Sequence, residues 1–499
     1  MTSITPLPPV HSHPAQDFSA LSAVSHALIV IPENAALPAE LPARAQWLAV
    51  LKRKGMKPAE LARTPLAIDL SDGRRLALLM SDAKLTRFER LTRLRKAVML
   101  LQEESPKMLA IWATDAGMAR DAVFTALVNG VPLPARKKKP AVALTAIQLF
   151  SPLTEDDLTP VIALARANIL ARQLTASAPN ELTPATYRKQ IRRMAKAQGL
   201  AIEEYGFKRL KKMGAGAFCA VAQGSHHEDA AIVHLSYKPS GKAASKSVAL
   251  VGKGICFDTG GHNLKPARYM AGMHKDMNGS AVALALTLAA AEMQLPVAID
   301  CWLAIAHNHI SSTAYTQDDI LTALDGTTIE VVHTDAEGRL VLADTLTLAS
   351  RGKPDLVIDF ATLTGSMHVA LGERYSGVFA SSDELAALAV ASGRASGERV
   401  SVFPLDADYD AALDSRVADV KQCTLEGEAD HILAALFLQR FTGQRPWLHV
   451  DLSSARCAGG LGALASDLTG FGVVWGATLL AQWLQSQRNE SSGSLACRA

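Results

Sequence analysis

Beyond residue 180, short apolar runs alternate with Ala- and Leu-rich stretches of helical spacing, and this rhythm limits what the chain can fold into more than any other feature. Residues 247–251 (SVALV), 297–304 (VAIDCWLA), 356–358 (LVI) and 448–452 (LHVDL) are nearly continuous apolar runs, as expected of strands covered on both faces. Strands of that kind alternating with helices specify an α/β domain with a mainly parallel central sheet. A smaller version of the rhythm occupies the N-terminal third. Residues 26–31 (HALIVI), 76–80 (LALLM), 108–113 (MLAIWA) and 141–150 (AVALTAIQLF) read as strands, and 46–55 and 85–104 as helices. A chain of 499 residues exceeds what one core usually holds. The expectation is therefore a small N-terminal α/β domain, residues 1–160, and a larger C-terminal α/β domain, residues 161–499, with a helix at 158–177 joining them. The Pro-, Ser- and His-rich residues 1–25 are expected to be poorly ordered.

Composition removes several function classes. The formal net charge is only +3, which gives no ground for nucleic-acid binding. The basic stretch 132–140 (PLPARKKKP) reads as a solvated loop. Cysteines at 219, 256, 301, 423, 457 and 497 form no CxxC pair, so a reducing compartment is expected. The opening MTSITPLPPVHSHPAQD has neither the basic nor the apolar region of a secretory signal. No uncharged apolar run approaches about 20 residues, and 470–484 reads as a buried helix. A cytoplasmic protein with no membrane contact is the expectation.

Two segments carry chemistry: residues 251–281 (VGKGICFDTGGHNLKPARYMAGMHKDMNGSA) and 331–345 (VVHTDAEGRLVLADT). Both set acids and bases beside glycines at the ends of strand-like runs. In an extended chain Asp335 and Glu337, two apart, would share a face with His333. With Asp258 and Asp276 they make four carboxylates, enough hard oxygen donors for two divalent ions about 3.5–4 Å apart. The competing reading is that these acids cap helices and pair with Lys275 and Arg339, and spacing alone does not choose between them. Weaker motifs fall away. Gly252-Lys253-Gly254 lacks the rest of a phosphate loop, and neither HExxH nor GxSxG occurs. His307 and His309 read as loop or core histidines.

The pattern VGKGxxFDTGG, then K, then MHKDMNGSA, followed by TDAEGRLVLADT, resembles the leucyl (cytosol) aminopeptidase family of metallopeptidases. PNELTP at 179–184 and DFATLTG at 359–365 add to the resemblance, which spans roughly residues 165–485. It implies a dinuclear metal hydrolase acting on peptides with a free N-terminus. Lys253, Asp258, Asp276, Asp335 and Glu337 would hold two divalent ions (Mn2+ or Zn2+, or Mg2+), with Asp258 and Glu337 bridging them. Lys265 and Arg339 would be the catalytic pair, Arg339 anchoring a bicarbonate that shuttles the proton. Met273, His333, Ala336, Thr362, Leu363, Gly365 and Ser453 would contact substrate, and the protein would be a homohexamer. The chain departs from the family pattern at His333, where asparagine is usual, at Thr259 and at Ser453. His333 and Ser453 are therefore expected to reshape the pocket for the terminal side chain. Two rival readings remain. One is a DNA-binding or scaffolding role on the 136–139 loop and the 90–96 helix. The other is storage or transport of a divalent metal, which would not need Lys265 and Arg339.

Overall fold

Two sheets of unequal size divide the chain in the computed structural model, which describes residues 6–15, 18–33, 36–239 and 246–496 and side chains as far as residue 487. The first sheet has six strands in the spatial order Val10–His13, Ala146–Phe150, Met108–Ala113, His26–Pro32, Arg75–Ser81 and Leu66–Asp69. Every neighbouring pair in it is parallel except the last. Alternation along His26–Pro32 explains its two buried faces. Leu28 and Val30 pack under helices Arg87–Gln102 and Ala116–Gly130, whereas Ala27, Ile29 and Ile31 pack against Trp47 of helix Arg44–Lys54. Thr86 and Glu89 form a reciprocal capping box that starts helix Arg87–Gln102.

Residues 1–25 were expected to be poorly ordered, yet Val10–His13 is an edge strand paired in register with Ile147–Phe150, and Phe18–Ala23 is a 3-10 helix. Composition undervalued pairing with a distant strand. The Ser12 hydroxyl donates to the Leu153 carbonyl, and His13 Nε2 lies 2.7 Å from Gln148 Oε1. Residues 1–5, 16 and 17 lie outside the described residues.

The larger sheet has eight strands in the order Val400–Val402, Ser376–Ala380, Trp447–Asp451, Leu356–Ala361, Ser247–Asp258, Ala298–Asn308, Ala231–Tyr237 and Ala201–Gly206. The four central strands, Trp447–Asp451 to Ala298–Asn308, are parallel to one another. Antiparallel pairings flank them. Strand Ser247–Asp258 is the axis of this domain. Val248 and Leu250 face helix Asn278–Glu292, and Ala249 and Val251 face helix Glu337–Arg351. Two glycines let the first helix approach. A Cβ on Gly252 would sit 2.5 Å from Ser280 Cα, and one on Gly279 only 2.0 Å from the Phe360 carbonyl oxygen. Gly252-Lys253-Gly254 is thus mid-strand, which disposes of the phosphate-loop reading. A small third sheet joins Ile320–Thr322, Thr328–Glu330 and Val420–Lys421.

Helix Glu155–Ala176 packs against both parts of the molecule. Its Arg172, 2% exposed, donates to the carbonyls of Leu468 and Val128 and to Ser466 Oγ. Burial pushes the guanidinium down to about 10. Asn129 and Arg95, from two other N-terminal helices, hold the same irregular loop at Ala463, Leu464 and Ala465. Arg172→Ala leaves buried carbonyls unpaired and is expected to cost about 3 kcal/mol. Urea denaturation measures it, and an unshifted transition would mean that the 456–470 loop is held by other contacts.

Candidate metal centre

The C-terminal half of strand Ser247–Asp258 delivers two of the predicted residues. Lys253 points to the side of helix Glu337–Arg351, where Gly338 offers no Cβ; one built there would lie 2.6 Å from Lys253 Cε. Asp258 is the strand's last residue. Its Oδ1 accepts hydrogen bonds from Gly260 N–H, at 2.9 Å, and from Asn308 Nδ2, at 2.8 Å. Asp276 follows the 3-10 turn Met273–Lys275, and Thr362 Oγ1 donates to its Oδ1 at 2.7 Å.

Asp335 and Glu337 converge for a different reason from the one expected. Residues 333, 335 and 337 do not alternate on a strand: 334–335 form a turn, and Glu337 opens a 15-residue helix. The turn is held by side chains instead. Gln422, fully buried, accepts the N–H groups of Val332 and His333 on its Oε1 and donates from Nε2 to the Ala336 carbonyl. Glu337 sits at the positive end of its helix, where a carboxylate is stabilised.

One oxygen each from Asp258, Asp335 and Glu337 lies within 4.8 Å of the other two. Lys253 Nζ bridges Asp276 and Glu337 at 2.8 Å each, and Lys265 Nζ lies 2.9 Å from Asp258 and pairs also with Asp335. Burial, and then mutual repulsion of the carboxylates, raise the pKa values of Asp335 and Glu337; burial raises that of Asp276 against the pull of Lys253. Burial alone would lower Lys253 and Lys265, but the surrounding acids outweigh it and hold both amines well above the usual lysine range. The acids pair with these two lysines and not with Lys275, as the competing reading had it.

The donor set fits divalent cations. Glu337 Oε2 is buried with no hydrogen-bond partner among the described residues. Asp276 Oδ2 and Asp335 Oδ1 meet lysine amines as ion pairs without hydrogen-bond geometry. Hard oxygens left unsatisfied in a buried cluster are what Mn2+, Mg2+ or Zn2+ coordinate.

Arg339 stands apart from the cluster. Buried on the first turn of its helix, it donates from Nη1 to the Gln422 carbonyl and from Nη2 to Asp430 Oδ1 at 2.7 Å. Around the rim, Met273, His333 and Ala336 are half-buried. His333 Nδ1 accepts the Asp335 N–H at 3.2 Å, and burial, with Lys265 nearby, lowers the imidazole pKa. Thr362 also accepts from Lys253 through its carbonyl. The Leu363 N–H is committed to Asp451 Oδ1, Gly365 is exposed at the start of a helix, and Ser453 Oγ donates to the Tyr375 carbonyl.

Sequence reasoning passed over Asn308, Gln422, Asp430 and Asp451. Asn308 carried a usable signal, because a buried asparagine ending an apolar strand needs partners. It is fully buried, pairs in register with Asp258, and donates to both Asp258 Oδ1 and the Thr334 carbonyl. The other three lie on segments whose approach depends on tertiary structure. Asn308→Ala is expected to weaken binding of a divalent ion by about 10–100-fold, the usual loss for a residue orienting a ligand. Titration with Mn2+ measures it, and unaltered affinity would show that Asp258 needs no support from this side.

Comparison with known proteins agrees with this arrangement. Residues 169–475 match the catalytic domain of the cytosol aminopeptidase family. The chain is 39% identical over 319 residues to a probable cytosol aminopeptidase of Afipia carboxidovorans, covering 64% of this chain and 62% of that one. A probable cytosol aminopeptidase of Roseiflexus castenholzii is 35% identical over 431 residues, covering 85% and 83%. The solved structure of the bottromycin maturation enzyme BotP in complex with Mn superposes with a TM-score of 0.80 at 30% identity, over 91% of this chain and 98% of that one. The match to the Afipia protein spans less than two thirds of its length, whereas the match to BotP is nearly end to end. With its catalytic segment matched over residues 169–475, the chain belongs to the cytosol aminopeptidase family.

Proposed function

We propose that the protein is a two-metal aminopeptidase, removing single residues from the amino ends of peptides in the cytoplasm. The observation that carries this reading is the convergence of Asp258, Asp335 and Glu337 oxygens within 4.8 Å, beside Asp276 and Lys253, in a chain of this family. Asp258, Asp276, Asp335 and Glu337 would hold two divalent ions, with Lys253 contributing its amine once deprotonated. When bound, the ions would activate a water and polarise the scissile carbonyl. Manganese is supported by the Mn complex of the BotP neighbour; zinc and magnesium suit the same oxygens.

The chain's own groups supply the rest. Lys265, held cationic by Asp258 and Asp335, would donate to the carbonyl oxygen as it gains negative charge. Thr362, Leu363 and Gly365 would align the substrate backbone; the Leu363 N–H being taken by Asp451, its carbonyl remains for substrate. Met273, His333, Ala336 and Ser453 would line the pocket for the terminal side chain. Arg339 would offer a bicarbonate its Nε, which is buried with no hydrogen-bond partner among the described residues, while Nη1 and Nη2 already donate to the Gln422 carbonyl and to Asp430.

Two separate sheets support the division into residues 1–160 and a catalytic unit, 161–499. A homohexamer is carried over from the family alone. No helix among the described residues is long and apolar enough to cross a membrane. Of the basic residues considered for nucleic acid, Arg90 pairs with Asp121, Arg95 with loop carbonyls and Arg136 with Glu181.

Exhaustive chelation is expected to abolish cleavage of aminoacyl peptides, and Mn2+ or Zn2+ to restore it; full turnover by verified metal-free protein would reject the reading. Lys265→Ala is expected to lower kcat by about 10²–10³ while metal content stays at the wild-type level. Residual full turnover in that variant would remove Lys265 from the reaction and favour metal storage. His333→Asn is expected to shift relative kcat/KM among leucyl, methionyl, alanyl and arginyl substrates by about 1–3 kcal/mol. An unchanged preference order would take His333 out of the pocket wall.

A further inference from the structure

Strand Ala298–Asn308 ends with its two faces in different surroundings. Trp302, Ala304 and Ala306 face one core, and Asn308 continues that row to reach Asp258. Cys301, Leu303 and Ile305 face the other core, and His307 and His309 continue that second row, because side chains alternate along an extended chain. The two imidazoles stack, with centroids 4.4 Å apart and planes 15° from parallel. Both are half-buried, and neither ring makes a hydrogen bond among the described residues. Burial, then His309 and His226, push the His307 imidazole down to about 3; burial, then His226, lower that of His309. Both rings are therefore neutral, the form that binds metal. Packing alone does not account for them, since a phenyl ring would fill the space without leaving a polar nitrogen unpaired. His226 comes from the loop before strand Ala231–Tyr237, which runs antiparallel to Ala298–Asn308 with Ala231 opposite Ile305. That loop is pinned against the histidine pair. A Cβ on Gly224 would stand 2.5 Å from the His309 carbonyl oxygen, and Thr313 Oγ1 donates to the Gln223 carbonyl at 2.9 Å. The His226 side chain itself is exposed and makes no hydrogen bond among the described residues.

We infer that His307 and His309, joined by His226, form a nitrogen-donor site for a borderline transition-metal ion (Zn2+, Cu2+ or Ni2+), separate from the carboxylate centre. Metal–nitrogen bonds of about 2.0–2.1 Å let two ring nitrogens on one ion stand as much as about 4 Å apart. Rings stacked at 4.4 Å reach that spacing by tilting out of parallel. Among the described residues only Asp258, Asp335 and Glu337 already hold three donors within 4.8 Å, so His226 turns inward from solvent to complete the set, and water fills the remaining positions. Imidazole suits zinc, copper and nickel, whereas manganese and magnesium prefer carboxylate oxygen, so the two sites sort ions by donor chemistry. Asn308 joins them: it lies between the two histidines in sequence, and its side chain holds Asp258 and the Thr334 carbonyl on the opposite face.

Electron paramagnetic resonance of the Mg2+-loaded protein with one equivalent of Cu2+ tests this, because nitrogen ligands split the copper signal and oxygen ligands do not. Wild-type protein is expected to show coupling to at least two imidazole nitrogens. Glu337→Gln, which impairs the carboxylate centre, is expected to keep that coupling. His309→Ala and His307→Phe, the second of which preserves the ring volume, are each expected to lose it. His226→Ala is expected to lower Cu2+ affinity about 10-fold or more, since a lost ligand costs at least what a lost ligand-orienting residue does. Circular dichroism identifies any variant that fails to fold, and His309→Ala, at the strand's outer end, then decides in place of His307→Phe. A copper signal without imidazole coupling in the wild type would overturn the inference, as would coupling that survives in the folded His307 and His309 variants. A stack that serves packing alone would give the first of these results. The spectrum needs no turnover, so it decides the matter whether or not the protein cleaves peptides.

Discussion

Crowding of like charges at the end of one strand is the constraint on which the rest depends. Asp258, Asp276, Asp335 and Glu337 are brought together, and burial opposes the negative charge on Asp276, Asp335 and Glu337. Such a cluster is tolerable only if cations and donors are fixed around it. Lys253 and Lys265 supply charge from opposite sides. Asn308 and Thr362 supply hydrogen bonds, and the helix beginning at Glu337 supplies its positive end. The parallel strands are well suited to this task, because their C-terminal ends open together along one edge of the sheet.

The support extends outward in layers. Trp447 and His449, on the strand beside Leu356–Ala361, donate to the two oxygens of Asp359, and all three residues are buried. Burial opposes the charge on His449, but Asp359 outweighs it and raises the imidazole pKa. Two residue pairs further along these strands, Asp451 holds the Leu363 N–H and the Thr364 hydroxyl, fixing the segment that would meet the substrate. The N-terminal unit reaches the same neighbourhood through Arg95 and Asn129, which together with Arg172 of helix Glu155–Ala176 hold the loop that follows Ser453.

How much of this was legible in the sequence follows from the range of the interactions involved. The strand at 108–113, the first residues of strand Ser247–Asp258 (read as 247–251) and most of helix Glu155–Ala176 (read as 158–177) were readable because burial writes itself into local composition. The candidate ligands were legible through the family resemblance of residues 251–281 and 331–345, since spacing alone left helix capping open, and the structure brings Asp258, Asp335 and Glu337 together. The extended run through His333, Asp335 and Glu337 was misread, because Gln422, far along the chain, supplies the hydrogen bonds that a strand neighbour would have given. The edge strand Val10–His13 was missed for the same reason, its partner lying at Ala146–Phe150. Asp430 had no local signature: an acid opening a helix looks alike whether or not an arginine awaits it.

The glycines around Lys253 have a consequence for how this site can change over evolutionary time. Gly252, Gly279 and Gly338 each press against a neighbour closer than any Cβ permits. A single nucleotide change that placed a side chain at any of them would displace the lysine, the helix or the strand before selection could act on a new activity. The floor of the site is therefore frozen by steric exclusion, independently of its chemistry. Diversification is channelled to the half-exposed rim, where His333, Ser453 and Asp430 already stand and where a new side chain meets solvent instead of backbone.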